Sequence, residues 1–242
     1  MELEMIEHLP SGAAMRFDSA VDDLTKRPTV LLLHGWKSTV FTGSTFDELR
    51  KRLNALGINT LSLSLRGHEK ARGNIEEVTR ADHEKDYYQA LHYLKMRPEV
   101  DSTRLGALGS SYGGYLTAFM AGIYPFKAVV LRAPALYPDI GWMKPTTRYT
   151  EDVGVRKWRN HIHAPHESTA LGSLGHYKGN LLIVAGGVDD AIPTQVIDSY
   201  VQAAVLATVE REMLPEAGHV FRDADREKYI ELAVRWFSSH LT

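Results

Sequence analysis

Apolar and polar positions along the chain fall into two alternating patterns. Short, near-continuous apolar runs occupy residues 29–33, 59–63, 104–108, 128–131 and 181–185, and such runs read as strands buried on both faces, as in a parallel sheet covered by helices. Longer segments of helical period lie between and after them, at residues 45–56, 79–96, 113–123, 194–207 and 225–240. A further strand is expected at residues 210–214, just before the final loop. Residues 3–8 and 13–17 flank Leu9-Pro10-Ser11-Gly12, whose Pro and Gly mark a turn, and they predict an edge hairpin. The alternation predicts an α/β fold with a mostly parallel central sheet of about eight strands and helices on both sides.

Residues 134–179 break this rhythm. The stretch is longer than an ordinary connection and carries Trp142, Tyr149, Trp158 and several histidines, which makes it a candidate short lid or pocket wall. With no repeat, low-complexity tract or linker composition elsewhere, the 242 residues are read as one domain.

Composition narrows the function classes. Apolar residues make up 44% and charged residues 24%, with a formal net charge of −2, so no positive field draws the protein to nucleic acid or to an anionic membrane. There is no cysteine, which removes a thiol nucleophile, thiolate metal ligands and disulfides. No run approaches a membrane span, and the first residues lack the features of a secretory signal, so a cytoplasmic location is the expectation.

The chemistry is carried by turns at strand ends. Gly109-Ser110-Ser111-Tyr112-Gly113-Gly114 follows an apolar strand and opens an apolar helix, the strand-turn-helix context in which a G-x-S-x-G turn exposes a strained serine hydroxyl. Centring the motif on Ser111 puts glycine two residues to each side, whereas centring it on Ser110 would put Leu108 and Tyr112 there. The alternative, a glycine-rich turn of a nucleotide-binding unit, is answered by what lies elsewhere. The first core strand ends in His34-Gly35-Trp36, and main-chain N–H groups of Trp36 and Tyr112 are expected to form an oxyanion hole. His34 is expected to order that loop at the pocket. Strand 181–185 runs into Gly186-Gly187-Val188-Asp189-Asp190, so a carboxylate, Asp189 or Asp190, follows a buried strand. Asp190 also suits the cap of the helix at Thr194. His219, between the last strand and the final helix, completes the chain order serine, aspartate, histidine.

These motifs, spread over nearly the whole chain, resemble the α/β-hydrolase superfamily. The elbow is similar to that of prolyl-oligopeptidase-type catalytic domains, and Gly186-x-x-Asp189-x-x-Ile192-Pro193 is similar to their acid loop, which implies Asp189 as the acid. Only about 30 residues precede the first core strand, so the resemblance points to small stand-alone carboxylesterases of the dienelactone-hydrolase-like and feruloyl-esterase-like kind, with minimal or no cap. Ser64-Leu65-Arg66-Gly67-His68 departs from a loop that in many relatives begins with aspartate; Arg66 and His68 are read as pocket-rim or structural residues.

The resemblance implies a serine esterase that acts on a small-molecule ester through an acyl-enzyme on Ser111, with no cofactor and no metal. A peptidase or thioesterase using the same three residues is the alternative, and a ligand-binding member without catalysis the third. Trp142, Tyr149 and Trp158 are expected either to line an acyl pocket or to pack the 134–179 segment onto the sheet. His161, His163, His166 and Glu167 are interrupted by Pro165 and read as a solvated loop rather than a zinc site. Oligomeric state is left open.

Overall fold

A computed structural model describes residues 6–21, 23–150 and 153–242. Eight strands form one sheet in the order β1-β2-β4-β3-β5-β6-β7-β8. They are β1 (Glu7–His8), β2 (Ala14–Asp18), β3 (Arg27–Leu33), β4 (Asn59–Ser64), β5 (Val100–Ser110), β6 (Ala128–Arg132), β7 (Asn180–Gly186) and β8 (Thr208–Leu214). From β4 to β8 every pairing is parallel; β1 and β2 run antiparallel at one edge.

The run Val30-Leu31-Leu32-Leu33 explains the layering. Val30 and Leu32 bury themselves on one face of the sheet and Leu31 and Leu33 on the other, the period-two alternation of a strand covered on both sides. Helices α1 (Ser44–Ala55) and α8 (Asp223–Leu241) close the first face through Phe46, Leu49, Leu53, Tyr229, Ile230 and Phe237. The second is closed by α2 (Arg80–Met96), α3 (Tyr112–Ala121), α6 (Thr169–Leu174) and α7 (Thr194–Ala203). Two short helices, α4 (Thr147–Thr150) and α5 (Val153–Trp158), lie in the long connection after β6.

Element types agree with the apolar pattern, and the differences are in lengths. The first strand of the hairpin covers only Glu7–His8, and residues 3–5 of its expected span lie outside the described residues. β5 begins four residues before its expected start because Val100 pairs with Arg27 ahead of a register shift in β3. α7 ends at Ala203 rather than residue 207, since the chain must turn before β8 pairs Thr208 with Asn180. Thr79 caps α2 instead of joining it, its hydroxyl accepting from the Asp82 N–H while the Asp82 carboxylate reaches back to the Thr79 N–H.

Candidate active site

Every expected chemical residue sits at the carboxyl end of a parallel strand, where loops from neighbouring strands converge. Ser111 stands between β5 and α3 with φ 51° and ψ −114°, a conformation that sterics exclude for most L-residues and that persists only when over-determined. Its N–H donates to the Arg132 carbonyl at 2.9 Å, and its own carbonyl accepts from Tyr115 and Ala135 at 3.1 and 3.0 Å. The flanking glycines are steric requirements. A Cβ on Gly109 would lie 2.3 Å from the Gly113 carbonyl oxygen, and one on Gly113 would lie 2.4 Å from that of His34.

Ser111 Oγ is 3.0 Å from His219 Nε2, and His219 Nδ1 is 2.8 Å from Asp189 Oδ2. The other Asp189 oxygen accepts the N–H groups of Ala191 and Ile192 at 2.9 and 2.8 Å. Burial works to raise the Asp189 pKa, but the hydrogen bond and charge of His219, together with those N–H donors, hold it below the usual carboxylate value. An ionised Asp189 accepts Nδ1–H and leaves Nε2 as the acceptor facing Ser111. The acid and base loops are clamped together by main chain: Gly187 N–H donates to Leu214 and Val188 N–H to Ala217. Glycine at 186 and 187 lets them approach, since Cβ atoms there would meet the carbonyl oxygens of Ala217 and Pro215 at 2.2 and 2.4 Å.

Gly35 brings the β3 loop against the nucleophile, where an added Cβ would lie 3.3 Å from Ser111 Cβ. Trp36 follows it, and Tyr112 is the first residue of α3, so the Tyr112 N–H has no acceptor within the helix. Glu69 braces the rest of this loop, its carboxylate accepting the N–H groups of Val40, Phe41 and Thr42 at 3.0–3.2 Å.

Several expected residues lie elsewhere. His34 is wholly buried; its Nδ1–H donates to the Gly35 carbonyl and its Nε2 accepts from Leu65 N–H. It belongs to a cluster with His68, His83, Trp36 and Tyr112 beneath the β3 loop. Burial drives the pKa values of His34 and His83 down to about 3, and that of His68 down as well. His83 Nε2–H donates to the Arg66 carbonyl and Nδ1 accepts the Tyr112 hydroxyl, which fixes the first residue of α3. Arg66 is structural too, ion-paired at 2.7 Å with buried Asp86.

Trp142 and Tyr149 surround a different cation. Arg80, fully buried, lies 5.4 Å from each ring and donates to the carbonyls of Pro138 and Ile140, tying this part of the 134–179 segment to α2. Trp158 stacks on His163 at 3.7 Å. His163 is itself spent on the Trp158 carbonyl and Glu167, and no metal-binding cluster occurs among the described residues.

Arg132, absent from the sequence reading, stands at the centre of the site. It donates to Ser110 Oγ at 3.1 Å and to the His219 carbonyl, so it joins the residue before the nucleophile to the base loop. A single arginine at the end of a strand gives no sequence signal. A cavity of about 220 Å³ opens beside it, and none of Trp142, Tyr149 or Trp158 is in its wall.

Residues 72–242 match the model of the prolyl oligopeptidase family. The chain is 24% identical over 260 residues to acylamino-acid-releasing enzyme 2 of Oryza sativa subsp. japonica, covering 98% of this chain and 33% of that enzyme. It thus spans about a third of the length of such relatives. Among solved structures it is similar to Est1E from Butyrivibrio proteoclasticus with ferulic acid bound, with TM-score 0.75, 19% identity and 98% coverage of both chains. It is also similar to Pyrococcus horikoshii acylaminoacyl peptidase, with TM-score 0.71, 18% identity, and coverage of 98% of this chain and 41% of that one. The fold is that of the α/β-hydrolases. No helix among the described residues is long and apolar enough to cross a membrane.

Proposed function

Because the chain belongs to the prolyl oligopeptidase family, we propose that it is a serine hydrolase that cleaves carboxylic esters of small molecules through an acyl-enzyme. The observation that carries the reading is the hydrogen-bonded chain Ser111–His219–Asp189. His219 Nε2 takes the Ser111 proton as Oγ attacks the carbonyl carbon, and Asp189 holds the imidazole in the required tautomer and stabilises the imidazolium. The tetrahedral oxyanion is received by the N–H groups of Trp36 and Tyr112, each such donor being worth about 3 kcal/mol in comparable sites. Collapse expels the alcohol, which leaves with the proton from Nε2. Water then attacks the acyl group with His219 again as base, restoring Ser111.

Kinship to acylamino-acid-releasing enzymes favours a second reading in which the leaving group is an amine. That group must be protonated as it departs, which demands more of His219 than an alkoxide or phenolate does.

Turnover of p-nitrophenyl esters from acetate to decanoate, beside the matching p-nitroanilides, tests both. Ester turnover far above anilide turnover, with kcat lowered roughly 10⁴-fold or more in Ser111→Ala, supports the first reading. Comparable anilide turnover replaces it with the second, and an unimpaired Ser111→Ala protein sinks both.

A further inference from the structure

The cavity beside Ser110 lies between the nucleophile turn and the starts of α1 and α8. Its wall includes Ser110, which precedes the nucleophile, and Val220 and Phe221, which follow the base. In sequence Ser110 adjoins the nucleophile and Val220 adjoins the base, so the cavity lies beside the two turns that carry the reacting side chains.

Beside the apolar side of the wall, which includes Phe46 and the Tyr229 ring, stands a positive, polar side. Arg132 and Arg226 face it with the hydroxyl residues Ser38, Thr39 and Thr45, and no acidic residue contributes to it. The Glu48 carboxylate on α1 pairs with Arg52 and also feels the charge of Arg226. The cavity also sits at the start of α1, where Gly43 supplies no side-chain cap, so the positive end of that helix adds to the same field.

Arg132 shows what the cavity lacks. Its guanidinium donates to two neutral oxygens, Ser110 Oγ and the His219 carbonyl, and lies 4.3 Å over the Phe221 ring. Neither acceptor is anionic, and burial pulls its pKa below the usual arginine value. The charge of Asp189 reaches it through space, but no carboxylate hydrogen-bonds to its fork, and that planar fork is shaped to take an incoming carboxylate in bidentate fashion.

We propose that this cavity is a carboxylate subsite, and that the protein selects substrates bearing a carboxylate a short spacer from the scissile carbonyl, held by Arg132 and Arg226. Selection during turnover rests on the serine-hydrolase reading; binding of the carboxylate does not.

The test therefore measures binding first. Ser111→Ala protein is titrated at low ionic strength with p-nitrophenyl hemiglutarate against p-nitrophenyl pentanoate, which places the charge on the acyl side. Carboxymethyl butanoate against ethyl butanoate places it on the alcohol side. We expect one charged member to bind about tenfold or more tightly than its neutral counterpart, the gain to vanish in Ser111→Ala/Arg226→Gln and to return in part with Arg226→Lys. Equal affinities within both pairs, or no measurable binding of either charged ester, overturn the proposal even if wild-type protein hydrolyses neutral esters. A gain in binding with no turnover by wild-type protein keeps the subsite and removes the hydrolase reading.

Discussion

The Asp189 side chain is almost entirely buried, with every hydrogen bond it accepts assigned: two from the Ala191 and Ile192 N–H groups of its own loop, one from His219. The carboxylate is therefore both a loop brace and the selector of the His219 tautomer. In Asp189→Asn the first role survives in part and the second inverts, because an amide N–H facing Nδ1 drives the imidazole proton to Nε2, where it opposes Ser111. The expected result is a fall in kcat of about 10³–10⁴ with little change in KM, read from steady-state p-nitrophenyl ester kinetics; a loss below tenfold would show that Asp189 does not orient the base. Legibility at this scale follows chemistry at strand ends. Ser111 and Asp189 follow apolar runs and His219 follows the last predicted strand, in a fixed chain order, so spacing and resemblance find them. Arg132 is a single basic residue at the end of an apolar run and Arg80 sits beside a polar stretch that reads as solvated, so neither stands out. What buries Arg80 is a ring of aromatics from α3 and the 134–179 segment, a relation between distant segments that periodicity does not encode.

Among the elements, the closest dependence is between β3 and α3. The His34 carbonyl lies where a Cβ of Gly113 would stand, so the helix that carries the nucleophile and the loop that carries Trp36 touch through bare backbone. Local propensity alone would make Gly113→Ala stabilising by about 1 kcal/mol. The close approach reverses the sign: we expect a loss of about 2–3 kcal/mol in urea unfolding, and a larger loss of activity as the Trp36 N–H is pushed from the oxyanion position. A stabilised variant would show that the approach is looser than drawn. Sequence reading locates this contact only as a pair of glycine-bearing motifs. It leaves the aromatics of the nearby 134–179 segment undecided between lining an acyl pocket and packing, because an aromatic packed over a buried guanidinium and one lining a ligand cavity have the same composition. Element boundaries slip where pairing, not propensity, decides them, as at the start of β5 and the end of α7.

For the molecule as a whole, the buried histidines beneath the β3 loop tie stability to pH. His34 and His83 stay neutral in the fold down to about pH 3, whereas in the unfolded chain they gain protons once pH falls below about 6.5. The unfolded state thus binds more protons over this window, and stability must fall as pH falls, by up to about 1.4 kcal/mol per pH unit for each histidine. In the free chain carboxylates titrate mainly below pH 5, so the imidazoles dominate the upper part of this window, joined there by Asp86 and Glu84, whose pKa values burial raises. The urea midpoint is expected to drop clearly between pH 7 and pH 5; an unchanged midpoint would mean that the cluster is already solvated. The sheet itself was legible from the apolar runs, because strands buried on both faces leave little room for polar residues.

The sheet order sets one more property. Ser111 follows β5 in the middle of the sheet, whereas Asp189 and His219 follow β7 and β8, the last two strands, with β8 at the margin. β8 pairs only with β7 and exposes half its length, so it belongs to the part of the fold that opens at least cost in sub-global fluctuations. An excursion of that margin withdraws the base while the nucleophile keeps its strained pose. A silent, still-folded state is therefore expected to precede global unfolding, with activity following the cohesion of the sheet margin rather than the integrity of the core.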